Sequence, residues 1–206
     1  MSRKALEALV RGRGYFVTGT DTGVGKTWVA CRLAEEARAR GLRVGVLKPA
    51  ESGSGGDAAA LKKASGCPLP LGLVRPYAFK RPLAPSVAAA AEGRRVSLGP
   101  IVRAFTTLSG LSDFMLVEGA GGLLVPYGKG LDGASLAKAL GLPLLIVARR
   151  GLGTINHSLL TLEAARRRKL TVAALVLSGP AGAGDASVKS NARQIARLGR
   201  VKVLEC

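Results

Sequence analysis

The sequence predicts a single three-layer α/β/α domain, spanning residues 1–206, around a mostly parallel sheet. Three observations lead there. A β-forming run at 15–17 passes through a glycine-rich turn into a helical spacing of apolar residues at 28–40, with Val29, Leu33 and Ala37 on one face. Strand and helix patterns then alternate along the rest of the chain, and right-handed crossovers turn such an alternation into a parallel sheet covered on both faces. The strand candidates at 113–117 and 144–147 are unbroken apolar runs, as expected of strands buried on both sides. A chain of 206 residues is long enough for one well-buried core and short for two. The segment 1–13 is expected to be loosely ordered or an extra N-terminal addition.

The stretch Gly19-Thr20-Asp21-Thr22-Gly23-Val24-Gly25-Lys26-Thr27 organises the rest. Set between a strand and a helix, its glycines let backbone N–H groups converge on phosphate oxygens, and the helix N-terminus adds about half a positive charge. Gly23, Val24, Gly25 and the helix start at Trp28 are therefore nucleotide-binding candidates. Lys26 is placed to reach the β- and γ-phosphates and the Thr27 hydroxyl to take one position on Mg²⁺. This makes the fold class P-loop NTPase-like. One residue more than usual separates Gly19 from Gly25, so Thr20 stands at the usual first-glycine position.

Gly41 stops the first helix, and 43–47 reads as the second strand. Pro49 halts it, which puts Lys48 at the carboxyl end of a strand, where open parallel sheets hold their ligands. On the residues alone, a solvated charge is the plainer reading. The turn 53–56 leads to Asp57, a natural N-cap for a helix at 58–64; a carboxylate has oxygens enough to cap with one and bind Mg²⁺ with the other. The proline-studded stretch 68–85 reads as a loop over the surface or along a pocket. Short helices follow at 86–92 and 100–109, the second capped by Ser97 or Gly99 and opened by Pro100.

The strand 113–117 exits at Glu118-Gly119-Ala120-Gly121-Gly122. Glu118 either hydrogen-bonds that turn or, with a phosphate loop present, approaches a phosphate-bound metal. A helix at 135–140 precedes the strand 144–147, and the loop 149–157 runs into a helix ending near Arg168. His157, the only histidine, reads as a packing or capping residue. A strand at 172–177, a helix at 185–197 and a strand at 201–204 complete the series, with no internal repeat.

Composition excludes several partners. The longest apolar runs, 85–91 and 140–148, fall short of the roughly 20 residues that span a bilayer. The segment 1–13 is basic but lacks the apolar core of a secretory signal. Cys31, Cys67 and Cys206 have no metal-ligand spacing and suit a reducing cytoplasm. The net charge of +18 produces a field that draws anions, but Lys and Arg are spread over the chain with only short clusters such as Arg166-Arg167-Arg168-Lys169. Aromatics make up 4%, too few to stack on bases, so neither a nucleic-acid nor a membrane partner is expected.

Together, GTDTGVGKT at 19–27, LKPAESG at 47–53, GGDAAAL at 55–61, VEGAGGLLVP at 117–126 and GLGTINHSLLT at 151–161 resemble dethiobiotin synthetase in order and spacing. The resemblance implies an ATP- and Mg²⁺-dependent cytoplasmic enzyme of biotin biosynthesis. That enzyme joins CO₂ to 7,8-diaminononanoate through a carbamate and a carbamic-phosphoric anhydride, releasing ADP and phosphate. It implies that Lys26 and Thr27 hold phosphates and metal, that Asp57 and Glu118 complete the metal's protein ligands, and that Lys48 joins Lys26 as a catalytic cation. Thr22 and Ser52 are implied to bind substrate, and the backbone of Gly119, Ala120 and Gly121 to sit near the carbamate and γ-phosphate. A homodimer is implied, in which the loop of Gly153, Thr154 and Asn156 reaches the substrate carboxylate in the neighbouring protomer's site.

This sequence departs from the family at Ser178-Gly179, where an Asn commonly reads the adenine edge, and at Lys202, where a Pro-containing turn is usual. Serine offers fewer and shorter donors, so weak discrimination among nucleotide bases is expected. Partition-type ATPases share the loop but carry a lysine where Asp21 stands, and an anionic side chain cannot supply that cation.

Overall fold

In the computed structural model, which describes residues 3–179 and 188–206, helices and strands alternate as α1 (Arg3–Val10), β1 (Gly14–Gly19), α2 (Lys26–Ala39), β2 (Val44–Leu47), β3 (Ala50–Ser52), α3 (Asp57–Ser65), α4 (Leu71–Val74) and β4 (Tyr77–Phe79). The chain continues through α5 (Pro85–Ala91), α6 (Leu98–Gly110), β5 (Phe114–Gly122), β6 (Pro126–Gly128), β7 (Leu131–Asp132) and α7 (Gly133–Ala139). It closes with β8 (Leu144–Arg149), α8 (Thr154–Arg167), β9 (Val172–Ser178), α9 (Val188–Gly199) and β10 (Val203–Glu205).

The six-stranded main sheet has the order β10-β9-β8-β1-β5-β2, with every pairing parallel. After β1 the chain crosses to β2 at one edge and returns to β5; later it passes to β8, β9 and β10 on the other side. The connections thus diverge around β1, and such a reversal opens a crevice at the carboxyl ends of the strands.

Burial on both faces explains the unbroken apolar runs. Phe16 lies in register between Val117 of β5 and Leu144 of β8, and all of them are fully buried. Truncating such a residue typically costs about 3–5 kcal/mol through lost transfer energy and the cavity left behind. On α2, Val29, Leu33 and Ala37 face the core as the spacing requires, and Ala30 and Ala34 beside them let the helix approach closely. Gly41, at φ 79, turns the chain out of that helix.

Several expectations need correction. Within the segment 1–13 the described residues form α1, which buries Leu6, Leu9 and Val10, and the Tyr15 hydroxyl donates to the Leu9 carbonyl at 2.8 Å. Its scattered basic residues hid a short amphipathic face. The proline-rich stretch 68–85 is not all loop, since it contains α4 and β4, and β4 pairs in parallel with β3. Tyr77 and Phe79 alternate inward around exposed Ala78, a repeat too short to stand out among prolines. Strand β5 does not end at Glu118; it continues to Gly122, with a register shift opposite Val17 and Gly19. The stretch after it folds back as the β6–β7 hairpin, whose Asp132 forms a reciprocal cap with Ser135 at the start of α7. The expected start of the last helix at 185–187 lies outside the described residues.

Candidate active site

The phosphate loop leaves β1 at the crevice, and Gly25 closes it as the N-cap of α2 at φ 93. A Cβ there would lie 2.6 Å from the Ser178 hydroxyl, so conformation and space both demand glycine. Lys26 is buried and donates from Nζ to the Asp21 carbonyl at 3.0 Å. Asp21 Oδ1 accepts the Thr22 N–H at 2.7 Å, which steadies the turn. Thr27 donates its hydroxyl to Glu118 Oε1 at 2.9 Å, linking the helix start to the end of the buried part of β5.

Lys48 stands just past β2, as its sequence position indicates, but it is not a solvated charge: only 3% of it is exposed. Its main-chain N–H donates to the Val74 carbonyl at 2.7 Å, and its ammonium donates to Asp57 Oδ2 and Glu118 Oε1, both at 2.6 Å. Asp57 begins α3 but does not cap it. Gly56 occupies the N-cap position, and the Ala58 N–H is taken by Glu51 Oε1 at 3.1 Å. The pull of the Lys48 ammonium explains why the Asp57 carboxylate turns away from its own helix. Glu118 is fully buried, and its Oε2 has no hydrogen-bond partner among the described residues.

These neighbours set the protonation states. Burial alone pushes the Lys48 ammonium toward neutrality, but Glu118 and Asp57 outweigh it and hold the group above the ordinary lysine value. Glu118 is also raised, because burial favours its neutral carboxyl and Lys48 only partly offsets the shift. For Asp57, nearly half exposed, burial is the largest single influence and raises the carboxyl, but Lys48, Thr27 and Lys26 together outweigh it and hold the group below the usual carboxylate range. Lys26 is lowered by burial and then by Lys48.

A cleft of about 550 Å³ opens over this group, and Thr22, Gly23, Lys26, Lys48, Ser52 and Asp57 are among its walls. A smaller one of about 250 Å³ is lined by Gly23, Gly25, Lys26, Thr27, Trp28, Asp57 and Glu118. Gly23, Lys26 and Asp57 border both, and Lys26 and Lys48 both line the larger one. Ser52 Oγ is buried with no hydrogen-bond partner among the described residues, and Ser52 lines that cleft.

Not every candidate converges there. Val24 buries its side chain, leaving its backbone to the loop, whereas Trp28 is 50% exposed. Gly121 and Ala120 line the larger cleft, but the Ala120 N–H is already donated to Tyr127 Oη at 2.6 Å. Gly119 packs against the Phe16 ring, 3.0 Å from where a Cβ would stand. Ser178 is buried beneath Gly25, and Gly179 beside it is exposed; neither lines these two clefts. Gly153, Thr154 and Asn156 lie at the start of α8, away from the lysines' cleft. Gly153 and Asn156 are exposed, while the Thr154 side chain is fully buried and its hydroxyl closed off from solvent. The His157 main-chain N–H donates to the Gly153 carbonyl in the first turn of α8.

Sequence reasoning missed Glu51, Arg75 and Tyr127. Tyr127 is fully buried, burial pushes its phenol up to about 12, and its oxygen anchors the strand that carries Glu118. No local pattern marks such residues, because their partners are distant in sequence or are backbone groups.

The donor set fits magnesium. Thr27, Asp57 and Glu118 line one cleft and offer hydroxyl and carboxylate oxygens, the ligands of a hard cation, and Glu118 Oε2 is buried with no hydrogen-bond partner among the described residues. Among the described residues no group of three His, Cys, Asp or Glu side chains forms a metal cage.

A protein-family model described as an AAA domain matches residues 13–206. The ATP-dependent dethiobiotin synthetase of Anaeromyxobacter dehalogenans is 54% identical over 190 residues, covering 90% of this chain and 85% of the relative. The chain belongs to the dethiobiotin synthetase family. Family members from Endomicrobium trichonymphae and Bacillus licheniformis are each 42% identical, covering 94% and 93% of this chain and 91% and 84% of their own lengths. Among solved structures, a ParA family ATPase from Chlorobium tepidum superposes with a TM-score of 0.57 at 13% identity, covering 94% of this chain and 83% of that one. The hydrogenase maturation factor HypB from Archaeoglobus fulgidus gives 0.54 at 18% identity, with 99% and 85% covered. At such identities the likeness carries the P-loop NTPase fold alone.

Proposed function

We propose that this protein is an ATP-dependent dethiobiotin synthetase of the cytoplasm, closing a ureido ring on 7,8-diaminononanoate with CO₂ and ATP. The reading rests on its family membership, and the observation that carries it to the site is the meeting of Lys26 and Lys48 in one cleft. Thr27, Asp57 and Glu118 adjoin them.

The backbone of 23–27 receives the triphosphate, and Lys26 exchanges its bond to the Asp21 carbonyl for phosphate oxygens. Thr27, Asp57 and Glu118 would hold Mg²⁺, which would supply charge neutralisation for the phosphates. One amine of the substrate captures CO₂ as a carbamate. A carbamate oxygen attacks the γ-phosphorus and ADP departs; the neighbouring amine then attacks the carbonyl carbon, and phosphate leaves as the ring closes. Two anions meet in the phosphoryl transfer, so fixed cations and dipoles matter more than an acid or base. Lys48 meets that need. Its two carboxylate partners keep it an ammonium, so it acts as a charge and not as a base. Ser52 and Thr22 orient the substrate in the same cleft, and Gly121 borders the reacting end.

The reading includes a homodimer in which exposed Gly153 and Asn156 of one protomer meet the substrate carboxylate in the other's site. Apolar exposure on and around α8 supports it: Leu124, Leu152 and Leu160 are 51%, 80% and 57% exposed. Among the described residues no helix is long and apolar enough to cross a membrane. The free thiols of Cys31, Cys67 and Cys206 support a reducing compartment.

Purified protein given ATP, Mg²⁺ and bicarbonate is expected to release phosphate only when the diamine is added. Equal release without the diamine overturns the synthetase reading, and sedimentation as a monomer under assay conditions overturns the shared site.

A further inference from the structure

We propose that Glu51 and Arg75 form a positioning pair that sets the Asp57 carboxylate for the divalent cation; this rests on the assignment of Asp57 to the metal made above. Helix α3 is reached through Gly53, Gly55 and Gly56, at φ 87, 70 and 117, a path with little conformational restraint of its own. No side chain at its N-cap position bonds the first turn. Left there, the residue that opens the helix would be free to drift.

Glu51 removes that freedom from outside the helix. It projects from β3 with 4% of its side chain exposed, and its Oε1 accepts the Ala58 N–H at 3.1 Å. That N–H belongs to the peptide unit joining Asp57 to Ala58, so the bond fixes the backbone from which the Asp57 carboxylate reaches Lys48. The second oxygen of Glu51 receives the Arg75 guanidinium, which aims the carboxylate. Both oxygens are therefore committed, although Glu51 borders the larger cleft.

Arg75 follows α4, and its neighbour Val74 accepts the Lys48 main-chain N–H. Consecutive residues of one segment thus hold both arms of the site, Lys48 through a carbonyl and Asp57 through Glu51. The β3–β4 pairing, with Glu51 opposite Ala78, fixes the spacing between them. A buried ion pair adds little stability over apolar residues of the same size, whereas a directed hydrogen bond onto the Asp57–Ala58 peptide specifies position. Residues that orient metal ligands in this way typically govern about 10- to 100-fold in metal affinity.

The test is Mn²⁺ binding in the presence of ADP, followed by electron paramagnetic resonance, for the parent and for Glu51→Ala, Glu51→Gln, Arg75→Ala and Asp57→Asn. Amide exchange at Ala58 and thermal unfolding are measured on the same proteins. Glu51→Ala and Arg75→Ala are expected to weaken Mn²⁺ binding about 10-fold or more and to speed exchange at Ala58. Glu51→Gln, which keeps an oxygen for that amide, is expected to recover most of the binding. If Asp57→Asn weakens Mn²⁺ binding while Glu51→Ala and Arg75→Ala stay within about twofold of the parent, the positioning role is overturned and the metal assignment stands. If Asp57→Asn binds as the parent does, both are overturned. A loss in Glu51→Ala that Glu51→Gln fails to recover, and that only tracks a fall in unfolding temperature, also overturns the pair.

Discussion

Replacing Lys48 by methionine keeps much of its volume and removes the cation held between two carboxylates. Lys48 donates to Asp57 and Glu118 at 2.6 Å each, and its side chain is 4% exposed against 1% for Glu118, so the charge left behind has no water to turn to. Breaking a buried pair in this way costs roughly 3–5 kcal/mol. Glu118 is already held above the ordinary carboxylate range by burial and can escape part of that cost by taking a proton. The low end, about 3 kcal/mol, therefore applies, and for a chain of this size it lowers Tm by roughly 6–12 °C. Adding Glu118→Gln removes the stranded carboxylate and is expected to restore most of the stability. Turnover should behave differently. If Lys48 supplies charge to the transferring phosphoryl group, both variants stay at least about 100-fold below the parent, because neither has the cation. Thermal unfolding by circular dichroism reads the first effect and diamine-dependent phosphate release the second. A single Lys48→Met variant that turns over within about tenfold of the parent would refute the electrostatic role.

Three further expectations follow from other parts of the molecule. Asp113 accepts from the Arg43 N–H, Nε and Nη2 at 2.7–3.0 Å, and the Arg43 guanidinium holds its carboxyl at about 2. The folded value lies below an unfolded value of about 3.9, so this stabilisation is present above that value and is lost as pH falls toward the folded one. Asp113→Asn should lower Tm near neutrality, with the gap to the parent closing in acid; a gap independent of pH would count against the bond. Trp28, the only tryptophan, is half exposed beside Gly25 and Thr27, so saturating ADP should shift its emission, and an unchanged spectrum would show that nucleotide does not sit there. Duplex DNA should bind weakly and be released as salt rises from about 50 to 200 mM, since a diffuse basic surface binds phosphates by counterion release; nucleotide-dependent binding that survives the salt would point to a DNA-binding switch.

The legible parts of this protein are those whose determinants are local. The phosphate loop announces itself because strand, glycines, lysine and helix follow one another, and its chemistry is done largely by backbone. Lys48 and Glu118 could be placed just after unbroken apolar runs, which are themselves a sign of burial on both faces, although β5 runs on past Glu118 to Gly122. What could not be read was the outcome of competition between distant groups. Asp57 looks like a helix cap in any local window, yet an ammonium from β2 claims its carboxylate and Glu51 takes over the cap. Lys48 looks solvated until two carboxylates are brought to it. Segment 68–85 conceals β4 because its pairing partner, β3, comes long before it and each is too short to show a period. Burial of the Thr154 hydroxyl, where the motif suggests an exposed contact, depends on how α8 seats against the sheet.

The lysines and carboxylates at the crevice have an outcome for how ligands arrive. Lys26 and Lys48 contribute two positive formal charges, Asp57 and Glu118 two negative ones, and at rest the four cancel. A pocket that is neutral overall exerts no long reach on a triphosphate still in bulk solvent. Attraction at a distance must then come from the arginines and lysines of the exterior, which give the whole molecule its +18, while the interior serves only to sort and align what has been delivered. Capture and alignment are thereby separated in space, so ionic strength should slow the encounter far more than it loosens the ligand once seated.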